Sequence, residues 1–276
     1  MHFRIYPTDL NLLSWGSSSQ LAVALSQSVF LWDPVTSGTK ELMSLDENSN
    51  DYVSCVSWIQ EGGNHLAVGT AESGVQLWDV QAQRQVRSLD GHSSRVGALA
   101  WNGHMLTSGS RDNAVINHDV RVRNHIVSKM LHHSQEVCGL AWSPDGTYLA
   151  SGANDNTLCI TEMANFHSMN TAPKHILTEH QAAVKALAWS PHERNLLASG
   201  GGTADRCIKF WNAASGSLVN SVDTGSQVCA LQWSPFEKEI LSSHGYAENQ
   251  LCLWKYHHGQ GQGAARPHQP RAAHGP

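Results

Sequence analysis

Serine, histidine and aspartate recur together three times in this sequence: Ser108 with His92 and Asp112, Ser151 with His133 and Asp155, Ser199 with His180 and Asp205. A hydroxyl, an imidazole and a carboxylate are the parts of an acyl-transfer centre, in which the histidine takes the serine proton and the aspartate orients the ring. A catalytic constellation is built once, however, whereas this one returns at similar offsets. Recurrence points to a buried hydrogen-bond set that ties strands together, and such a set persists only when every member is satisfied. His92, Asp112, His133, Asp155, His180 and Asp205 are therefore assigned to a structural network, and no residue to catalysis.

Other candidate chemistries are weaker. Gly200-Gly201-Gly202-Thr203 has the glycine content of a phosphate loop but lacks the following Lys-Ser/Thr and opens no helix, so it reads as a widened turn. The 17 histidines show no HExxH or paired-ligand spacing, and the six cysteines form no CxxC pair. The sequence is expected to bind no metal, use no cofactor and catalyse no reaction. The cysteines read as reduced, mostly buried thiols of an intracellular chain. With 18 Lys+Arg against 23 Asp+Glu, a net charge of −5, it lacks the concentrated basic surface that phosphate neutralisation requires. The apolar run Leu21–Leu25 is far short of the roughly 20 residues that span a bilayer. Met1–Pro7 has no apolar core of a signal peptide.

Ten tryptophans show what must position these groups. Trp15, Trp58, Trp101, Trp142, Trp189 and Trp233 follow one another at steps of 41–47 residues, each closing a short strand pattern such as Val96–Trp101. Trp32, Trp78, Trp211 and Trp254 close a second set of apolar strands, and His118 and Thr161 fill the two vacant places of that series. A repeat of this length with Trp-Asp near its close is the signature of a propeller blade. Turn signals such as Ser143-Pro144-Asp145-Gly146 separate strands of four to six residues, and helical periodicity is absent. The expectation is an all-β WD-repeat β-propeller over residues 10–256, with six recognisable four-stranded repeats, a short N-terminal segment over 1–9 and a disordered tail over 257–276. A propeller without a catalytic set is a rigid disc that presents loops to peptides or proteins.

Particular strings go further. Ser134-Gln135-Glu136-Val137-Cys138-Gly139-Leu140, Gly200-Gly201-Gly202-Thr203-Ala204-Asp205-Arg206, His118-Asp119-Val120-Arg121 and His244-Gly245-Tyr246-Ala247-Glu248-Asn249 are not generic blade sequence. They resemble the Fizzy family, coactivators of the anaphase-promoting ubiquitin ligase, and within it the mitotic branch. The resemblance implies a seven-bladed design that recognises degradation signals in cell-cycle proteins, in the cytoplasm and nucleus. It implies a Lys-Glu-Asn (KEN) site on the top face formed by Asn154, Asn156, Thr203 and Gln227, whose amides and hydroxyl suit a short polar peptide. The implied partners are degron-containing proteins, subunits of the ligase and checkpoint proteins, with neither nucleic acid nor membrane. A generic interaction scaffold is one alternative. A cullin-ligase substrate receptor is another, suggested by the approach of His118-Asp119-Val120-Arg121 to a Trp-Asp-x-Arg docking pattern.

Departures from the family pattern accompany the likeness. Pro7-Thr8, with Asp9 adjacent, stands where the family has an Asp-Tyr pair. The seventh-blade arginine of the KEN site, the acidic residues of the destruction-box groove, the N-terminal docking motifs and the C-terminal Ile-Arg tail find no counterpart. Codons exist for residues 257–276 whose reading one nucleotide later gives Thr-Met-Gly-Lys-Val-Lys-Glu-Leu-Arg-Gly-His-Thr-Ser-Arg-Val, a string like the start of a seventh blade. The tail is thus expected to be a frame-shifted blade. Six units of a seven-blade design leave a wedge-shaped gap with two exposed apolar faces, so the chain is expected to be poorly soluble or chaperone-bound.

Overall fold

The computed structural model describes residues 10–60, 63–163, 172–245 and 248–256. Pro7, Thr8, Asp9 and the tail over 257–276, on which several of the expectations above rest, lie outside the described residues. No helix occurs among the described residues, so none is long and apolar enough to cross a membrane.

Twenty-three strands form six antiparallel sheets in chain order. Blade 1 holds β1 (Leu13–Trp15), β2 (Leu21–Leu25), β3 (Ser28–Trp32) and β4 (Thr39–Ser44). Blade 2 holds β5 (Val53–Trp58), β6 (His65–Thr70), β7 (Val75–Asp79) and β8 (Arg84–Ser88). Blade 3 holds β9 (Val96–Asn102), β10 (Met105–Ser110), β11 (Val115–Asp119) and β12 (Ile126–Met130). Blade 4 holds β13 (Val137–Trp142), β14 (Tyr148–Ala153), β15 (Leu158–Glu162) and β16 (His175–Leu177). Blade 5 holds β17 (Val184–Trp189), β18 (Leu196–Gly201), β19 (Cys207–Asn212) and β20 (Ser217–Asp223). Blade 6 has β21 (Val228–Trp233), β22 (Glu239–His244) and β23 (Leu251–Lys255). Its sheet therefore shows three strands among the described residues where the other five have four.

Each blade meets the next through two unlike faces. The back of blade 1 places Ala22, Ala24, Val29 and Leu31 on the front of blade 2, which offers Val56, Trp58, Leu66 and Val68. The same division recurs between blades 5 and 6, where Ala198, Ile208 and Phe210 meet Trp233, Ile240 and Trp254. Inner-strand tryptophans also fasten blade to blade: Nε1 of Trp101 donates to the Ser57 carbonyl, Trp189 to Ala141 and Trp233 to Ala188, at 3.0–3.1 Å.

Crowding at the hub explains the small residues of the inner strands. A Cβ at Gly97 would lie 2.8 Å from the Val137 carbonyl oxygen, and one at Gly109 2.6 Å from the Val137 side chain, so close approach rather than turn geometry keeps these positions bare. Inner strands touch in the order β1, β5, β9, β13, β17, β21, and no comparable contact joins β21 back to β1. The six cysteines are free; Cys55, Cys138 and Cys159 are buried, while Cys207, Cys229 and Cys252 are only partly so.

Candidate peptide-binding face

Backbone hydrogen bonds define the top of the disc. Ala71 N donates to the Tyr52 carbonyl, Arg111 to Arg95, Asn154 to Glu136, Gly202 to Ala183 and Gly245 to Gln227. The five acceptors occupy one position in successive blades, just ahead of each inner strand, and the five donors follow the second strand. Asn154, Gly202-Thr203 and Gln227 thus come to the same face from blades 4, 5 and 6.

At Asn154 the side-chain carbonyl Oδ1 is buried and has no hydrogen-bond partner among the described residues. A buried acceptor left unpaired costs about 1–3 kcal/mol, so it marks a place for a donor. The backbone of Asn154 does not require asparagine, since its φ is not positive. Asn156 is different. It takes φ +66°, as Asn113 (+68°) and Arg206 (+58°) do directly after Asp112 and Asp205. Asparagine tolerates the left-handed region better than most side chains, which is sufficient reason for its presence there. Thr203 Oγ1 donates to Gln227 Oε1 at 3.2 Å, joining blades 5 and 6 across an exposed contact. Ser226, beside Gln227, holds a second buried oxygen without a partner among the described residues.

Beside these residues lies a buried ion pair that the sequence reading missed. Arg95 donates through Nε and a terminal nitrogen to both oxygens of Glu136, each at 2.8 Å. Burial works against the guanidinium, but its hydrogen bonds to Tyr52 and Glu136 outweigh that and hold its pKa above the usual range. Tyr52, Arg95 and Glu136 are the blade 2, 3 and 4 counterparts of Gln227, an equivalence that counting back from each inner-strand valine would have revealed. Asn11 marks the hub: its Nδ2 donates to the carbonyls of Gly97 and Cys138, at 2.9 and 3.3 Å, and Lys185 Nζ donates to the Leu10 carbonyl at 3.1 Å.

Below the turns, the recurring polar residues meet within single blades. In blade 5, Trp211 Nε1 donates to Ser199 Oγ (2.7 Å), Ser199 Oγ lies 2.6 Å from His180 Nε2, and His180 Nδ1 lies 2.7 Å from Asp205. With the indole donating to it, the Ser199 hydroxyl donates in turn to His180 Nε2, and Nδ1–H of the ring faces the carboxylate. Blade 4 places His133 Nε2 2.8 Å from Ser151 Oγ and Nδ1 3.4 Å from Asp155. Blade 3 places His92 Nδ1 3.0 Å from Asp112 and Nε2 2.8 Å from Ser108 Oγ. Ser108 Oγ then meets His118 Nε2 at 2.8 Å, and His118 Nδ1 lies 3.0 Å from His125 Nδ1. By the same proton count, Nε2–H of His118 does what the indole N–H does in blade 5, and Nδ1 accepts from His125. Burial, together with His125 and His92 nearby, lowers the His118 pKa to about 3. Asp119 and Arg121, the residues of the docking-like string, are joined to each other by two bonds of 3.0 and 2.8 Å at the turn that follows β11. No three metal-ligating side chains converge among the described residues.

Comparison with known proteins gives a consistent result. Residues 7–275 match the family described as the CDC20/Fizzy WD40 domain. The chain is 51% identical over 247 residues to an anaphase-promoting complex subunit cdc20 of Dictyostelium discoideum, covering 90% of this chain and 49% of that protein. It is 54% identical over 249 residues to cell division cycle 20.1, a cofactor of the APC complex, of Arabidopsis thaliana, covering 90% and 54%. A chain in a crystal structure of a mitotic checkpoint complex superposes with a TM-score of 0.86 at 47% identity, covering 92% of this chain and 77% of that one. The chain spans about half the length of the curated relatives it matches.

Proposed function

The chain belongs to the CDC20/Fizzy WD40 family, and from that premise we propose that its top face recognises KEN-type degradation signals for the anaphase-promoting ubiquitin ligase. In this reading it works without catalysis of its own, in the cytoplasm and nucleus, with degron-bearing proteins, ligase subunits and checkpoint proteins as partners. The relatives named as subunits or cofactors of that complex support the pathway. The observation that carries the site is the buried, unpartnered Oδ1 of Asn154, on a turn whose backbone does not require asparagine. It accepts from the amide or ammonium donors that a Lys-Glu-Asn segment supplies. Thr203 and Gln227, already bonded to each other, offer a hydroxyl and an amide that can re-pair with the same peptide. Asn156 borders the site from the left-handed position of the turn.

Titration with a fluorescent KEN peptide tests the assignment. Asn154→Ala and Thr203→Ala are each expected to weaken binding about tenfold or more, the loss of one or two hydrogen bonds. A peptide with Ala in place of Lys, Glu and Asn is expected not to bind. Equal binding of both peptides, or unchanged affinity in Asn154→Ala, rejects the site.

A further inference from the structure

The residue just ahead of each inner strand lies on the top of the disc: Tyr52, Arg95, Glu136, Ala183 and Gln227 in blades 2 to 6. The carbonyl of each is bonded to the turn that follows the second strand of its own blade. Their side chains, by contrast, reach between blades. Arg95 binds both oxygens of Glu136 and is hydrogen-bonded to Tyr52, so blades 2, 3 and 4 are linked in one line. Gln227 accepts from Thr203 and links blades 5 and 6. Between the two links stands Ala183, whose side chain ends at Cβ.

The Arg95–Glu136 pair is nearly withdrawn from water, its side chains 8% and 7% exposed. A pair so buried adds little net stability, because desolvation of both ions offsets their attraction. What a two-bonded contact between guanidinium and carboxylate does supply is fixed geometry. Glu136 is confined further: its Oε1 lies so near the Gly97 backbone that a Cβ there would be 3.2 Å away. The carbonyl of the same residue holds Asn154 N at 2.9 Å. Oδ1 of Asn154 has no partner among the described residues, so its place is inherited from that backbone bond.

We propose that Arg95 and Glu136 are positioning residues of the degron site: the fork of Arg95 fixes Glu136, Glu136 fixes the Asn154 turn, and the turn sets Oδ1 where the donor of the peptide arrives. The assignment rests on the degron reading of Asn154. It gives the ion pair a part in affinity without contact with the peptide.

Titrations of the full 276-residue chain with the fluorescent KEN peptide test this, in two variants each made with and without Asn154→Ala. Arg95→Met combined with Glu136→Leu removes both charges and leaves neither ion unpaired, so the fold is expected to be kept. Arg95→Lys keeps the charge and loses the fork. Each is expected to weaken binding about three- to tenfold where Asn154 is present, with little change in melting temperature. Neither is expected to weaken it further once Asn154 is alanine, since the group being positioned is then gone. A loss of the same size in both backgrounds overturns the proposal, because the pair then acts on binding through something other than Asn154. Unchanged affinity in both variants, while Asn154→Ala weakens binding, overturns it and leaves the degron site standing. An Asn154→Ala chain that binds as tightly as the unaltered one rejects the degron reading itself, and the positioning role with it. Where melting shows one variant unfolded the other decides, and collapse of both marks the pair as structural and overturns its positioning role.

Discussion

Blade 5 and blade 3 solve the same problem with different side chains. Both run Asp–His–Ser across the sheet, and both need a donor to complete the serine. Blade 5 supplies Trp211, which ends the chain of bonds; blade 3 supplies His118, which passes it on to His125. What the repeat holds constant is therefore an N–H pointing at a serine oxygen. The residue type that delivers it can change, and with it the response to protons. Blade 5 ends in a group that cannot titrate, while blade 3 ends in two that can.

The largest effect is expected from breaking the blade 5 version. Trp211 is completely buried, and Trp211→Ala removes its packing against blade 4 together with the Ser199 bond. A loss of about 3–5 kcal/mol is expected from denaturant unfolding. A loss under about 1 kcal/mol would mean that the indole is dispensable there and that the two blades are not built alike.

A pH series separates the blades next. The unfolded chain protonates His118 near its ordinary value, whereas the folded chain refuses the proton down to about pH 3. Stability should therefore fall as pH drops from roughly 6.5 towards 3, by at most about 1.4 kcal/mol per pH unit from this group. His118→Gln keeps a donor for Ser108 and cannot titrate, so it should flatten that part of the curve at the cost of some stability near pH 7. Identical slopes in the two proteins would remove His118 from the account.

The smallest effect belongs to blade 2, which lacks the serine altogether: Val68 stands at the register position of Ser199. There Trp78 Nε1 donates to Gln76 Oε1 in a partly buried contact. Trp78→Phe is expected to cost only about 0.5–1.5 kcal/mol, the net worth of one hydrogen bond. A larger cost would show that the indole carries more of blade 2 than its single bond suggests.

The tryptophan spacing made the blades, and the places of His118 and Thr161 in the second series, legible from residue order alone, because a strand period and a turn signal are local properties. What His118 does was not legible there. Its tautomer follows from Ser108, ten residues back, and from His125 in the next loop, so it depends on register. The Arg95–Glu136 pair was hidden for a related reason: its members lie 41 residues apart, in adjacent blades. Asn156 could be foreseen as a turn residue. The orphaned oxygen of Asn154 could not, since it arises from what surrounds the side chain rather than from its neighbours in sequence.

The bond from Lys185 to Leu10 closes across 175 residues. On a ribosome adding about 5–20 residues per second, the start of blade 1 waits roughly 9–35 s for that partner to be made. Until then blade 1 can pair its own strands, pack on blade 2 and reach Gly97 and Cys138 through Asn11, but its tie to blade 5 is not available. Synthesis thus imposes an order: blade 1 is tied across the hub in stages, to blades 3 and 4 first and to blade 5 last, and the interval before the last tie is when a holding factor has most to grip.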